Sequence, residues 1–286
     1  MKYMFLFLVP FICVGQIKRN YPPVIEDAQE YIYKKASDID LKLWVYSPTK
    51  IENKTPVILF FFGGGFQNGS PEQFTPQARY FASRGITGIV VDYRVNSRNN
   101  VKPVACLADA KAAIQWVRKN AEELNIDPNK IIASGGSAGG YLAAASYFVN
   151  KRVTGNTDKT NEKPNALVLF NPAGMDMSEA NDNAFMMRFG APKSDSNLIN
   201  LIGMNAPPTL ILHGDKDKIV EISKVRNFTK KMNALGHKCE LIEYINEPHG
   251  FFNYGRSKNG PFYHTLSAAD AFLRENGFLA PFPETN

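Results

Sequence analysis

Residues 131–145 read Ile-Ile-Ala-Ser-Gly-Gly-Ser-Ala-Gly-Gly-Tyr-Leu-Ala-Ala-Ala, and no other stretch constrains the fold as strongly. An apolar run with strand character ends in Gly135-Gly136-Ser137-Ala138-Gly139, and an alanine-rich segment with helix character follows at once. A chain that turns from strand to helix this abruptly brings two backbones close together, and small residues leave room for that approach. A serine at such a turn is held exposed above the end of a sheet.

The rest of the chain supplies the sheet. Continuous apolar runs occur at residues 56–62, 88–91, 131–133, 166–170 and 209–212, and a sixth, interrupted by Glu240 and Glu243, at 240–244. Runs of this kind suit strands buried on both faces. Residues 31–33 and 41–46 alternate instead and predict antiparallel edge strands. Helical periodicity fills the gaps: residues 104–124 carry Leu107, Ala110, Ile114 and Val117 at helical spacing, with residues 125–128 as the stop. Residues 222–235 and 264–275 are two further helices. Strands alternating with helices predict an α/β fold with a mostly parallel central sheet and helices on both faces.

The 286 residues carry 33 basic and 27 acidic side chains, and the basic ones are scattered rather than gathered on one face. A nucleic-acid partner calls for a clustered basic surface, so none is expected. Lys2 followed by the apolar residues 3–14 and by Cys13-Val14-Gly15 has the form of a signal peptide over residues 1–15, with cleavage before Gln16. The expected location is therefore outside the cytoplasm, periplasmic or secreted, with no stable membrane anchor. Residues 16–286 read as one domain, in which residues 173–207 form an irregular, cap-like segment bearing Phe185, Met186, Met187 and Phe189. Cys106 and Cys239 either pair or fill the core separately; the second reading is favoured.

A serine hydroxyl needs a base to take its proton, and the base needs an acid to fix its tautomer. Hydrolases with a strand-to-helix serine carry these in chain order serine, acid, histidine. Both partners belong on loops at the carboxyl ends of later strands. The loop after residues 209–212 holds His213-Gly214-Asp215-Lys216-Asp217, and the loop after residues 240–244 holds His249-Gly250-Phe251. His249 is thus the expected base and Asp217 the favoured acid, with Asp215 as its competitor or as a turn-shaping residue. The other three histidines, His213, His237 and His264, read as structural. Gly63-Gly64-Gly65 follows the first buried run and offers bare backbone N–H groups for an oxyanion. A phosphate loop is excluded there, because no G-x-x-x-x-G-K-[ST] pattern is present. Ala138 N–H, just past the serine, is the expected second part of the oxyanion hole.

Together, Phe62-Gly63-Gly64-Gly65-Phe66, Asp92-Tyr93-Arg94, residues 109–116, Gly135 through Gly140, His213 through Asp217 and His249-Gly250-Phe251 resemble the α/β-hydrolase esterases related to hormone-sensitive lipase and bacterial acetyl esterases. The resemblance implies Ser137, Asp217 and His249 as catalytic residues and Gly64 and Gly65, with Ala138, as oxyanion donors. It implies no metal and no cofactor. Phe66, Met187 and Phe189 are the candidate substrate contacts. Many relatives have histidine before the triple glycine where this chain has Phe62, which leaves the bracing of that loop open. The Phe-Phe-Gly-Gly-Gly-Phe form, with Asn68-Gly69-Ser70-Pro71 after it, also resembles exported bacterial esterases that remove acetyl or feruloyl groups from plant polysaccharides. The expected activity is a serine carboxylesterase acting on small-acyl esters, acetyl or feruloyl on carbohydrate, through an acyl-enzyme. Two other readings stay open: a peptidase of the same fold, and a non-catalytic carbohydrate-binding protein on that scaffold.

Overall fold

The computed structural model describes residues 21–49, 53–155 and 157–280. The expected leader, residues 1–15, lies outside the described residues. Eight strands are described: β1 (Gln29–Ala36), β2 (Ile39–Tyr46), β3 (Thr55–Phe61), β4 (Thr87–Val91), β5 (Ile126–Gly136), β6 (Ala166–Phe170), β7 (Thr209–Gly214) and β8 (Cys239–Tyr244). They form one sheet in the order β1-β2-β4-β3-β5-β6-β7-β8. β1 and β2 are antiparallel to their neighbours, and every pairing from β4 to β8 is parallel. The six apolar runs and the two alternating ones are these eight strands.

Side chains alternate across a strand, and β3 shows the result directly. Val57, Leu59 and Phe61 enter the core on one face of the sheet, while Ile58 and Phe60 enter the core on the other. The first face is covered by α3 (Pro103–Lys119), α4 (Ala138–Phe148) and α6 (Ile222–Ala234). The second is covered by α1 (Thr75–Ser83) and α7 (Gly260–Glu275). A one-turn helix, α2 (Asn96–Asn99), follows β4.

Two helix boundaries differ from expectation. α3 ends at Lys119, not near residue 124. The apolar pattern outlasts the helix because Ala121 and Leu124 still pack into the core from the turn that follows. Residues 126–128, expected as a helix stop, already belong to β5. α7 starts at Gly260, a turn earlier than expected, since Pro261 fits a first helical turn whose N–H groups are unpaired anyway.

The chain leaves β3 for β4 on one side, then crosses back to β5 on the other side of β3. Ligands of open α/β sheets bind outside the carboxyl ends of strands at such a reversal. The triple glycine follows β3 and Ser137 follows β5, so both stand at this crevice. Gly139 lets the crevice close: a Cβ there would lie 2.0 Å from Phe61 O. The segment 173–207 contains α5 (Asp182–Phe189) and two short 3₁₀ turns, Lys193–Asp195 and Leu198–Leu201. Met175, Phe189, Ala191, Leu198 and Ile202 pack it against the α4 side of the core.

Candidate active site

Ser137 sits at φ 52° and ψ −116°, between β5 and α4. A non-glycine residue in that region carries strain of roughly 1–3 kcal/mol, held only where neighbours over-determine it. Here the neighbours are explicit. Ser137 N–H donates to Phe170 O at 3.0 Å, and Ser137 O accepts from Ala173 N–H at 3.0 Å and Tyr141 N–H at 3.1 Å.

His249 Nδ1 lies 2.7 Å from Asp217 Oδ2. Asp217 Oδ1 accepts from Ile219 N–H at 2.8 Å and Val220 N–H at 2.9 Å. Burial pushes the Asp217 carboxyl up, but the hydrogen bonds from His249, Val220 and Ile219 outweigh it and hold it below its ordinary range. An ionised carboxylate can only accept, so the proton of neutral His249 belongs on Nδ1. Nε2 is left bare, as a general base requires. Asp215 is used otherwise: its Oδ1 accepts Asn246 N–H at 2.6 Å and shapes the loop that leads to His249.

His213 was expected to be a structural loop residue. It is a buried residue of β7, with Nε2 2.9 Å from Val220 O and 3.5 Å from Asp217 Oδ2. Burial holds its pKa below the ordinary histidine value, which favours the uncharged ring and leaves the carboxylate to His249.

The first N–H of the triple-glycine loop is anchored and the next two are open. Gly63 N–H donates to Gln73 Oε1 at 2.7 Å. Among the described residues, no acceptor meets the N–H groups of Gly64, Gly65 or Ala138. Gly64 has φ 121°, and a Cβ on it would lie 2.1 Å from Asn68 O, so only glycine fits. Phe62, whose bracing of this loop the sequence leaves open, acts by packing. Its ring stacks on Tyr93 at 4.0 Å and 12°, and Tyr93 O–H donates to Phe62 O at 2.6 Å.

Two cavities flank this loop. The first, about 450 Å³, is lined by Gly63, Gly64, Ser137 and His249 together with the polar Asn68, Ser70, Glu72, Gln73, Asn253 and Arg256. The second, about 260 Å³, is apolar and is walled by Phe66, Tyr141, Met177, Phe185 and Phe189. Of the three expected substrate contacts, Phe66 and Phe189 line this second cavity. Met187 does not; it is 76% exposed. Helix geometry gives the reason, since Phe185 and Phe189 are four residues apart and share a face that Met187, between them, does not. Asn171, Gln73 and Asn253 were missed from sequence; Asn171 alone had a positional signal, as the first residue past β6.

Among the described residues no group of three or more His, Cys, Asp or Glu side chains is arranged to hold a metal. No described helix is long and apolar enough to cross a membrane.

Several known proteins similar to this chain are esterases. The chain is 43% identical to a thermophilic esterase from Thermogutta terrifontis, Est2, whose structure with propionate bound superposes with a TM-score of 0.89 over 92% of this chain and 100% of that one. The same esterase phosphorylated by paraoxon matches with a TM-score of 0.85, covering 92% of this chain and 99% of that one. The esterase LipC of Mycobacterium tuberculosis is 25% identical over 240 residues, which is 77% of this chain. The chain spans 58% of the length of LipC and 59% of another such mycobacterial relative, less than two thirds of either. The model of the BD-FAE family matches residues 43–232. With an eight-stranded sheet of hydrolase order and a serine at its strand-to-helix turn, the chain belongs to the BD-FAE family, among the α/β-hydrolase esterases of hormone-sensitive-lipase type.

Proposed function

We propose that this chain is a serine carboxylesterase that removes small acyl groups, acetyl or feruloyl, from carbohydrate alcohols. The reading is carried by one observation: strained Ser137, Gly64 and His249, whose Nδ1 lies 2.7 Å from Asp217, line one cavity. In the proposed reaction Ser137 Oγ attacks the ester carbonyl while His249 Nε2 takes its proton. Asp217 holds the imidazole and stabilises its cation. Gly64, Gly65 and Ala138 donate to the tetrahedral oxyanion. His249 then protonates the leaving alcohol, and water repeats the cycle on the acyl-enzyme.

The polar lining of the larger cavity supports a polyhydroxylated alcohol, because amides, hydroxyls and charged groups pair with sugar hydroxyls. The apolar smaller cavity beside Phe66 supports an acyl group. The leader-like pattern of residues 1–15 supports export, with a mature chain starting at Gln16.

Ser137→Ala tests the chemistry. Turnover of p-nitrophenyl acetate is expected to fall on the order of a million-fold, since triad members act as a unit. Paraoxon is expected to phosphorylate the unmutated chain at Ser137, found by peptide mass mapping. Undiminished hydrolysis by Ser137→Ala would falsify the assignment. Acetylated xylan, compared with a feruloyl ester and p-nitrophenyl acetate, tests the substrate. Edman sequencing of extracellular protein tests export.

A further inference from the structure

Three side-chain amides run between the two halves of this crevice. Gly63 N–H donates to Gln73 Oε1 at 2.7 Å, Gln73 Nε2 donates to Asn253 Oδ1 at 2.8 Å, and Asn253 Nδ2 donates to Gly250 O at 2.8 Å. The same Gly250 is held from its other side, where its N–H donates to Asn171 Oδ1 at 2.9 Å. Gly63 opens the oxyanion loop, and Gly250 directly follows His249. We propose that Gln73 and Asn253, backed by Asn171, are positioning residues that hold the oxyanion loop and the base loop in register. The proposal rests on the esterase reading above.

The chemistry of the two ends fixes every member of the chain. A backbone N–H at Gly63 demands an acceptor, so Gln73 must present Oε1 there and Nε2 to its other side. Asn253 must then present Oδ1 to Gln73, which leaves Nδ2 for the Gly250 carbonyl. An amide accepts at one atom and donates at the other in one rigid plane. A carboxylate at either position cannot do this, and aliphatic groups can do neither. Gln73 and Asn253 are 180 residues apart. They join the segment after β3 to the segment after β8, two strands separated by three others in the sheet. Backbone hydrogen bonds within the sheet do not reach across that gap.

The loops need such a tie. Gly64 at φ 121° and Gly65 at φ 62° have no side chains to pack. The Gly250 peptide also lies in the left-handed region, at φ 76°. The oxyanion donors and the base must act on one substrate carbonyl at the same instant, and a displacement of about 1 Å costs on the order of 100-fold in rate.

The tests are Gln73→Ala, Asn253→Ala, the double variant and Gln73→Glu, assayed on p-nitrophenyl acetate. This small ester has no sugar to touch the polar lining, so it reads positioning alone. Each single alanine variant is expected to lower kcat by roughly 10- to 100-fold with KM little changed. The double variant is expected to lose less than the product of the single losses, by at least about 3-fold, because both break one chain. Gln73→Glu keeps an acceptor for Gly63 but sets a second acceptor against Asn253 Oδ1. It is nearly isosteric at a partly buried position, so it is expected to fold even where an alanine variant does not, and to match Gln73→Ala in rate. Phosphonylation of Ser137 by a small fluorophosphonate is expected to slow in parallel.

Unchanged kcat in the folded variants overturns the proposal. So does a rise in KM at constant kcat, and so do losses that multiply. An unmutated chain that neither turns over esters nor takes the fluorophosphonate label sinks the esterase reading instead, which keeps the two failures apart.

Discussion

Asp217 and Asp215 lie two residues apart, yet their surroundings assign them different tasks. Asp217 meets His249 and two backbone N–H groups; Asp215 meets one backbone N–H of the following loop. Asp217→Asn puts an amide where His249 Nδ1–H needs an acceptor, and the ring loses its tautomer. A folded Asp217→Asn variant is expected to lose about 10⁴-fold in kcat, while Asp215→Asn loses less than about 10-fold; steady-state hydrolysis of p-nitrophenyl acetate separates them. Position along the chain was enough to nominate Ser137, the H-G-x-x-D run and His249, because each follows a legible strand. It was not enough for His213. A histidine ending a strand gives no sign that its Nε2 will stand 3.5 Å from the same carboxylate oxygen that His249 uses.

Between elements, packing replaces what a motif would have supplied. The loop after β3 lacks the histidine of many relatives, and Phe62 with Tyr93 braces it through a stacked pair and a 2.6 Å hydrogen bond. Tyr93→Phe leaves the stack but strands the buried Phe62 carbonyl. It is expected to cost about 1–3 kcal/mol, read from the urea midpoint. α5 presents Phe185 and Phe189 to the apolar cavity and Met187 to solvent. Phe189→Ala is expected to shift preference among acetyl, propionyl and butyryl esters. Met187→Ala is expected to change stability by less than about 0.5 kcal/mol and preference not at all. Strands were the most legible elements, since runs such as residues 166–170 are apolar throughout and have one way to be buried. Helix ends were less so, because Ala121 and Leu124 keep the apolar rhythm after the helix has stopped. The Gln73–Asn253 contact left no trace, since two amides 180 residues apart form no pattern.

For the molecule as a whole, stability depends on buried charge. Asp92, at the end of β4, is buried beneath Tyr21 and Arg98. Burial pushes its pKa from 3.8 up to about 6, against the pull of Tyr21 and Arg98. The folded chain therefore keeps a proton that the unfolded chain releases in this window, and stability falls as pH rises through it. Asp92→Asn is expected to flatten that fall, as seen in urea midpoints across the same window. Lys111 gives the opposite slope at alkaline pH: burial lowers it from 10.5 to about 8, partly opposed by Glu162, so stability rises with pH between those values. The two thiols among the described residues bear on folding rather than on catalysis. Cys106 and Cys239 are free and buried, each pushed up to about 12 by burial. Thiolates that scarce react slowly with oxidants and disulfides. The described fold thus closes no disulfide between Cys106 and Cys239, and these two thiols set no requirement for an oxidising compartment or a disulfide isomerase.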